Sequence, residues 1–543
     1  MAYVVTQNCC NDASCVAACP VGCIHPTPDE PGFGTAEMLY IDSATCIDCG
    51  ACADACPVDA IVPDTEFTAD YSAMNALYYQ TNPMTPTWQY RTSTSLVTTD
   101  RPGLRVAIVG SGPAAQYAAK ELLAQPGVEV HMFERLPVPF GLIRHGVAPD
   151  HPATKAVADQ FAWTRDQERR FHLHLNVEIG THLDHAELLA HHHAVLYAYG
   201  AASNRRLEVR GERLPGSLSA FDFVGWYNGH PDHADALPDL SGPRAIVVGN
   251  GNVALDVARI LATEPERLST TDIADHAYAR LRRSRIEEVV VLGRRGPVEA
   301  AFTTPELHAL AQRPDIDVIV DPADLEGVAE PPDPIVRQKL DLLTGLARAG
   351  RTRGNRRIVL RFHTSVREIV GEHCVTDVHV VRHGLPEVIE TSLLIGSIGF
   401  RGTPIRGVPF DAANGTIPHD RGRVIRPTTG LPATGVYAAG WIKRGPTGVI
   451  GTNRTCANET VAALIEDYLE GRLADPPAGR GELVQLLHRR RPAALDRDGW
   501  AAIDAAERSA GMADGRPRRK FYRTEDMLSA ARPPRRLLRL LTR

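Results

Sequence analysis

The sequence predicts a small α+β domain built around metal clusters, followed by an α/β body of two Rossmann-like nucleotide-binding domains. Three observations predict it. Nine of the eleven cysteines fall in the first 56 of 543 residues; an apolar strand, a glycine turn and a helix follow one another twice, at Gly110 and at Gly249; and residues 1–90 hold eleven Asp or Glu with no Lys or Arg. At about 100–200 residues per domain, the length allows three or so globular units. No window approaches the roughly 18 apolar residues of a membrane span, and no basic-then-apolar secretory signal opens the chain. A net charge of −6 offers no broad basic surface for nucleic acid. A cytoplasmic chain is expected, in which crowded cysteines bind metal rather than form disulfides.

The cysteines obey an internal repeat. Sliding the chain by 37 residues lays Cys9 on Cys46, Cys15 on Cys52, Cys19 on Cys56, Pro20 on Pro57 and Ile24 on Ile61. The second copy, Cys46-x2-Cys49-x2-Cys52-x3-Cys56-Pro57, has the spacing in which three thiolates hold one 4Fe-4S cluster and the fourth crosses to another. That pairing assigns Cys19, Cys46, Cys49 and Cys52 to one cluster, and Cys9, Cys15 and Cys56 to the other. Asp12 lies where the latter's missing thiolate would be. A hard carboxylate is a poor ligand for a soft iron–sulfur corner, so a 3Fe-4S or labile 4Fe-4S cluster is expected there. Zinc sites have no use for the third cysteine and the Cys-Pro; Cys10 and Cys23 are left over, expected to pack beside the clusters, with Cys10 as a substitute ligand the alternative. The segment 1–65 resembles the seven-iron bacterial ferredoxins, which implies a ferredoxin-like α+β domain.

Residues 66–103 read as a linker: polar, rich in Pro and Thr, with Tyr78, Tyr79, Trp88 and Tyr90 suited to lying on a surface and a short helix over 70–80. The strand at 105–109 then enters Gly110-Ser-Gly112-Pro-Ala-Ala115. Gly110 makes the turn, Gly112 admits a pyrophosphate to the backbone, and Ala115 allows close helix packing. The next strand ends in Glu134, 24 residues after Gly110. A carboxylate there accepts hydrogen bonds from a ribose diol and favours FAD. The second loop, Gly249-Asn250-Gly251-Asn252, is followed by a strand that ends in Arg294-Arg295. Paired guanidiniums match a 2′-phosphate and select NADP(H). Strands ending at Gly200, Gly399 and Gly440 look like exits and returns between the two domains.

These loops, with Pro139-Phe-Gly-Leu-Ile-Arg-His-Gly-Val-Ala-Pro-Asp-His-Pro152 and Gly440-Trp-Ile-Lys-Arg-Gly-Pro-Thr-Gly448, are similar to the adrenodoxin-reductase type of ferredoxin–NADP reductase. With the N-terminal segment, the whole chain resembles the actinobacterial fusion of a ferredoxin with that reductase. The resemblance implies a ferredoxin at 1–65, a linker at 66–103, an FAD domain in two parts at 104–203 and 405–528, an NADP domain at 204–404 between them, and a basic tail at 529–543. It places Ala114, Glu134, Leu142, Ile179, Trp441, Gly448, Val449 and Ile450 against FAD. Arg205, Gly249 through Asn252, Arg294, Arg295 and Glu306 fall to NADP(H), with Gly448 near the nicotinamide. His151 takes the place of a histidine beside the flavin. Relatives often carry a second acid where this chain has Ala309, which puts a His–acid proton relay in doubt.

Nicotinamide gives up a hydride and clusters accept single electrons, while flavin handles both. The implied reaction is NADPH:ferredoxin oxidoreduction, reversible in principle, running from NADPH to FAD, then to the fused clusters and to external ferredoxins or redox enzymes such as cytochromes P450, with the chain a monomer. An electron-input subunit like the small subunit of glutamate synthase is the alternative. The acidic N-terminal stretch is expected to dock on a basic face by electrostatic steering, with Lys443, Arg444 and Arg454 as candidates, and the tether adds an effective concentration in the mM range. His191-His192-His193 reads as a solvated helix end rather than a metal site. The tail from Arg516, ten Arg or Lys against two acids, is expected to be a frayed or ferredoxin-facing arm.

Overall fold

The repeat is visible in the backbone before any cluster is considered. The strand Tyr3–Val5 pairs antiparallel with Ile61–Pro63, and Ile24–His25 pairs antiparallel with Tyr40–Ile41. Each pair therefore takes one strand from either copy of the 37-residue repeat, and the two copies interlock. Between the strands, Asn11 and Asp48, Ala13 and Gly50, and Gly22 and Asp59 all adopt positive φ at equivalent positions. These left-handed residues, uncommon outside glycine, curl each cysteine loop into the short helices Ser14–Ala18 and Ala51–Asp54. This computed structural model describes residues 2–65, 68–83, 103–161, 165–350 and 352–531.

Part of the expected linker is structural. Residues Ala69–Thr81 form a helix whose buried Asn75 accepts hydrogen bonds from the backbone of Val5 (3.3 Å) and Ile41 (2.8 Å) and donates one to the Val5 carbonyl (3.1 Å). One side chain thus ties both strand pairs together. Tyr79 donates to the carbonyls of Tyr40 and Cys23, and Tyr78 stacks on Tyr40 at 4.4 Å. Trp88, Tyr90 and most of the basic tail lie outside the described residues.

The chain divides into two units: Met1–Gln89, Ala148–Thr154 and Asn204–Gly399 in one, and Tyr90–Val147, Lys155–Ser203 and Phe400–Arg543 in the other. In the first, a six-stranded parallel sheet runs in the order Ser217–Ser219, Leu393–Gly396, Arg244–Val248, Glu288–Leu292, Arg356–Arg361, Ile316–Val320. Its central strands Leu393–Gly396, Arg244–Val248 and Glu288–Leu292 are buried on both faces along most of their length, as a sheet covered on both sides requires. A three-stranded antiparallel sheet, Thr364–Val370, Asp377–Arg382 and Leu385–Glu390, caps one face.

The second unit holds a seven-stranded sheet: His419–Asp420, Arg423–Ile425, Pro432–Ala438, Ala194–Tyr197, Arg105–Val109, Glu129–Glu134, Phe171–Leu175. Pro432–Ala438 lies parallel to Ala194–Tyr197, with Tyr437 opposite Leu196. One sheet is therefore made from segments on either side of the first unit's nucleotide-binding sheet. His191, His192 and His193, expected to be solvated, are all buried here. The helix His185–His191 turns its end into the sheet, where His193 Nδ1 accepts the Arg105 backbone N–H at 3.0 Å.

Candidate functional site

Cysteine positions come first. Cys9, Cys15 and Cys56 line one small cavity together with Cys10, Asp12 and the apolar side chains of Val5, Leu39 and Ile61. These are the three thiols that the crossed pairing assigns to one cluster, and Asp12 stands beside them. Its carboxylate accepts hydrogen bonds from the Ser14 hydroxyl (2.5 Å) and the Ser14 backbone N–H (3.1 Å). At the other cluster position, the Cys19 and Cys23 sulfurs are 3.4 Å apart. Cys46, Cys52 and Cys56 belong with Cys9, Cys15 and Cys19 to the core of this domain, while Cys49 is exposed. A soft donor set in a pocket with an apolar rim suits iron–sulfur clusters.

In the second unit, the strand Arg105–Val109 delivers Gly110 at φ +100°, where a Cβ would lie 2.7 Å from the Ala198 carbonyl oxygen. Only glycine fits that turn. Gly112 then N-caps the helix Pro113–Leu123 with open space where its Cβ would be. Backbone N–H groups at a helix start with nothing in front of them make an anion site. Glu134 closes the neighbouring strand; its carboxylate accepts from Ser111 Oγ (2.6 Å) and Leu136 N (3.0 Å), which fixes it beside the loop.

The other residues expected at FAD belong to the same unit. A Cβ on Gly141 would come within 3.0 Å of Gly112 Cα, so Leu142 starts its short helix next to the loop. A Cβ on Gly440 would meet Ala114 at 2.6 Å, bringing Trp441 there as well. Ile179 packs in one apolar cluster with Phe133 and Ile442. Trp441 donates its indole N–H to the Thr447 carbonyl (3.1 Å) and stacks on Phe400 at 5.7 Å. The turn at Gly448, Val449 and Ile450 leads into the helix Thr452–Leu469. Asn453 and Thr452 hold its carbonyls, and Arg444 holds Asn453 at 2.9 Å.

The first unit repeats the loop with different chemistry. Gly249 has φ +115° and would clash with Ser397; Gly251 N-caps the helix Asn252–Ala262, again facing open space. The Asn252 amide is anchored to Thr303, accepting its backbone N–H at 2.8 Å. Arg294 and Arg295 follow the strand Glu288–Leu292 and are both exposed. Neither guanidinium has an acidic partner among the described residues. Arg205 is likewise exposed, its backbone N–H donated to the Gly399 carbonyl (3.0 Å). Gly448 belongs to the other unit.

His151, Asp256 and Glu306 come together, one ligating atom of each lying within 4.8 Å of the others. Arg259 pairs with both Asp150 and Asp256 and so pins the 148–154 segment to the nucleotide-loop helix. Burial, then the charge of Glu306, pushes the Asp256 carboxyl well above the usual carboxylate range.

Three comparisons bear on this arrangement. The 4Fe-4S binding domain family matches residues 39–62, and the pyridine nucleotide-disulphide oxidoreductase family matches 104–296. A probable ferredoxin/ferredoxin–NADP reductase of Mycobacterium tuberculosis is 52% identical over 98% of this chain and 95% of its own. One of Mycobacterium leprae is 50% identical over 99% of both. The chain belongs to the ferredoxin/ferredoxin–NADP reductase family. Among solved structures, Mycobacterium tuberculosis FprA in complex with NADPH superposes with a TM-score of 0.74 at 43% identity, covering 79% of this chain and all of that one. The present reductase is accordingly an oxidoreductase, a two-domain Rossmann-like flavoprotein with a 4Fe-4S-binding N-terminal domain.

Sequence reasoning on the reductase misplaced some cations and missed some polar residues. Lys443, expected on a docking face, is buried with its ammonium on Glu459 and on Thr460 Oγ1, and Arg444 is spent on Thr447 and Asn453. Asp256 and Asn453 carry no motif signal beyond lying near a glycine loop. Cys456, unassigned from sequence, accepts the Gly440 N–H at 3.2 Å.

The acidic N-terminal domain does meet a cation, on the nucleotide half of its own unit. Glu37 pairs with Lys339 (2.9 Å) and accepts the Thr304 backbone N–H (2.7 Å). Tyr71 lies edge-on to His308 at 5.2 Å, and Ile335 packs on the cysteine-domain core. Thr304 opens the helix Thr304–Ala311, which carries Glu306 in its first turn.

Proposed function

We propose that the chain is an NADPH:ferredoxin oxidoreductase that passes reducing equivalents from NADPH to its own clusters and on to external one-electron acceptors. The observation that carries this is the presence, in one chain, of two dinucleotide cradles with opposite charge at their strand ends and of a cysteine domain with a thiol-lined cavity suited to an iron–sulfur cluster. Bound flavin supplies the conversion between a two-electron donor and one-electron acceptors. The chain's residues do the rest. Gly110, Gly112 and the Pro113–Leu123 helix start bind a pyrophosphate, and Glu134 accepts the ribose hydroxyls. Arg294, Arg295 and Arg205 bind the NADP(H) phosphates. His151, with Asp256 and Glu306 beside it, is placed to hold a proton near the nicotinamide site.

For the cluster at Cys9, Cys15 and Cys56 we propose a 3Fe-4S form. What supports it is that the Asp12 carboxylate is held by Ser14, which leaves the three thiolates of the crossed pairing, with Cys10 packed beside them as a non-ligand. External acceptors on this reading are ferredoxins and redox enzymes such as cytochromes P450, with the reductase working as a monomer. An anaerobic NADPH titration followed by optical and spin-resonance spectra tests the scheme. Flavin bleaching followed by reduced-cluster signals is expected; bleaching with no cluster signal would sink it.

A further inference from the structure

The buried histidines of the FAD-side sheet form a cluster that the redox chemistry does not use. In the parallel strands Glu129–Glu134 and Phe171–Leu175, His131 stands opposite His172 and Phe133 opposite His174. Alternation along a strand then puts Glu129, His131, His172 and His174 on one face. The rings stack, His131 on His172 at 4.5 Å and on His174 at 5.3 Å, and His192 meets His131 edge-on at 5.0 Å. Such a concentration of imidazole around one carboxylate is more than packing requires.

We propose that Glu129, His131 and His172 form a binding site for a divalent first-row transition metal ion of the zinc type, with His174 orienting His131 from behind. One ligating atom from each of the three lies within 4.8 Å of the others. Glu129 Oε1 is 3.4 Å from His131 Nε2 and 3.0 Å from His172 Nε2. Two ligands about 2.0–2.1 Å from a tetrahedral zinc ion lie about 3.3 Å apart, so both separations are already near that edge length. Imidazole and carboxylate together suit zinc.

The surroundings supply what a ligating histidine needs. His131 Nδ1 is 3.0 Å from His174 Nε2, so an Nδ1–H donated to His174 leaves the Nε2 lone pair facing Glu129 and the ion. His192 Nε2 is buried without a hydrogen-bond partner among the described residues. The His172 side chain is 41% exposed, against 6% for His131 and 10% for Glu129. That gives the ion an entry path and leaves its fourth position to water. His131 lies three residues before Glu134, about 10 Å along the strand. The ion would therefore sit away from the nucleotide end of the sheet and tie its edge strand to its neighbour.

The test uses the full protein with its flavin and clusters in place, dialysed against zinc in metal-free buffer. About one zinc per chain should be retained. X-ray absorption at the zinc edge should report only nitrogen and oxygen ligands, and His172→Asn should weaken binding at least 100-fold with iron and flavin content unchanged. Because His172 is half exposed, that variant folds; Glu129→Gln gives an independent second reading, and zinc should raise the thermal midpoint of the wild type alone. Zinc with a sulfur-dominated shell, or retained equally by wild type and His172→Asn, would place it in the cysteine domain and overturn the proposal. So would no zinc retention at all, leaving the histidines a neutral hydrogen-bonded chain ending on Glu129.

Discussion

Arg294 and Arg295 are exposed and without an acidic partner among the described residues, at the end of a strand that leads from a glycine loop. Each charge-assisted hydrogen bond to a 2′-phosphate is worth about 1.5–3 kcal/mol. Replacing both by Ala should raise KM for NADPH about 100-fold or more while leaving NADH turnover nearly unchanged, as steady-state rates with each nucleotide will read. Asp12 is the second decisive residue. On the proposed three-iron reading, the oxidised protein should give a three-iron spin-resonance signal, and Asp12→Cys should replace it with a four-iron cluster seen only on reduction. Cysteine ligands and glycine turns were legible in the sequence because their chemistry demands fixed spacing. Asp256, Asn453 and the buried histidines were not, since they gain meaning only from strands far away in sequence. A run of three histidines at a helix end is locally indistinguishable from a solvated one until His131 and Phe133 are brought beside it.

At the scale of elements, the helix Ala69–Thr81 explains how a segment can read as a tether and still be structural. It offers no strong apolar stripe; what it contributes are Asn75 and Tyr79, polar groups satisfied by the backbone of the cysteine domain. Hydrophobic periodicity, the main sequence signal for helices, has little to register there. The parallel strands were easier to read, being continuously apolar and followed by glycine. Their starts carry a pH-dependent clamp. Glu288 is paired with Arg244 and Arg357 (2.8 Å) on the two adjacent strands. Burial alone would raise its carboxyl, but the two guanidiniums outweigh that and hold it below the usual glutamate range. A depressed folded-state value gives stability that is full above the unfolded pKa and is lost as pH falls through the folded one. Glu288→Gln should therefore lower the thermal midpoint near neutrality and flatten its decline below about pH 4.3, measured by calorimetry from pH 3 to 7.

For the molecule as a whole, charge asymmetry was legible but its use was only half foreseen. Among the described residues, the acidic domain meets the nucleotide half of its unit through the largely buried pair Glu37 with Lys339 and the more exposed pair Asp70 with His308, rather than through a broad basic field. Removing one partner of the buried pair costs about 3–5 kcal/mol because the other charge stays buried. Glu37→Ala should loosen the cysteine domain, seen as faster hydrogen exchange across Tyr3–Val5 and the Ala69–Thr81 helix, and a conservative Glu37→Gln should recover part of the Thr304 contact. Salt should affect this docking only weakly, since buried pairs are little screened. The divided seven-stranded sheet has a consequence of another kind, for biosynthesis. Its central pairing joins Ala194–Tyr197 to Pro432–Ala438, so the edge of the first half stays open while the intervening chain is made. At about 5–20 residues per second that wait is roughly ten to fifty seconds, during which an apolar strand edge is exposed on the ribosome. A polypeptide that stops short of Pro432 should accordingly retain little flavin and aggregate, as absorbance and light scattering of a chain truncated there will read.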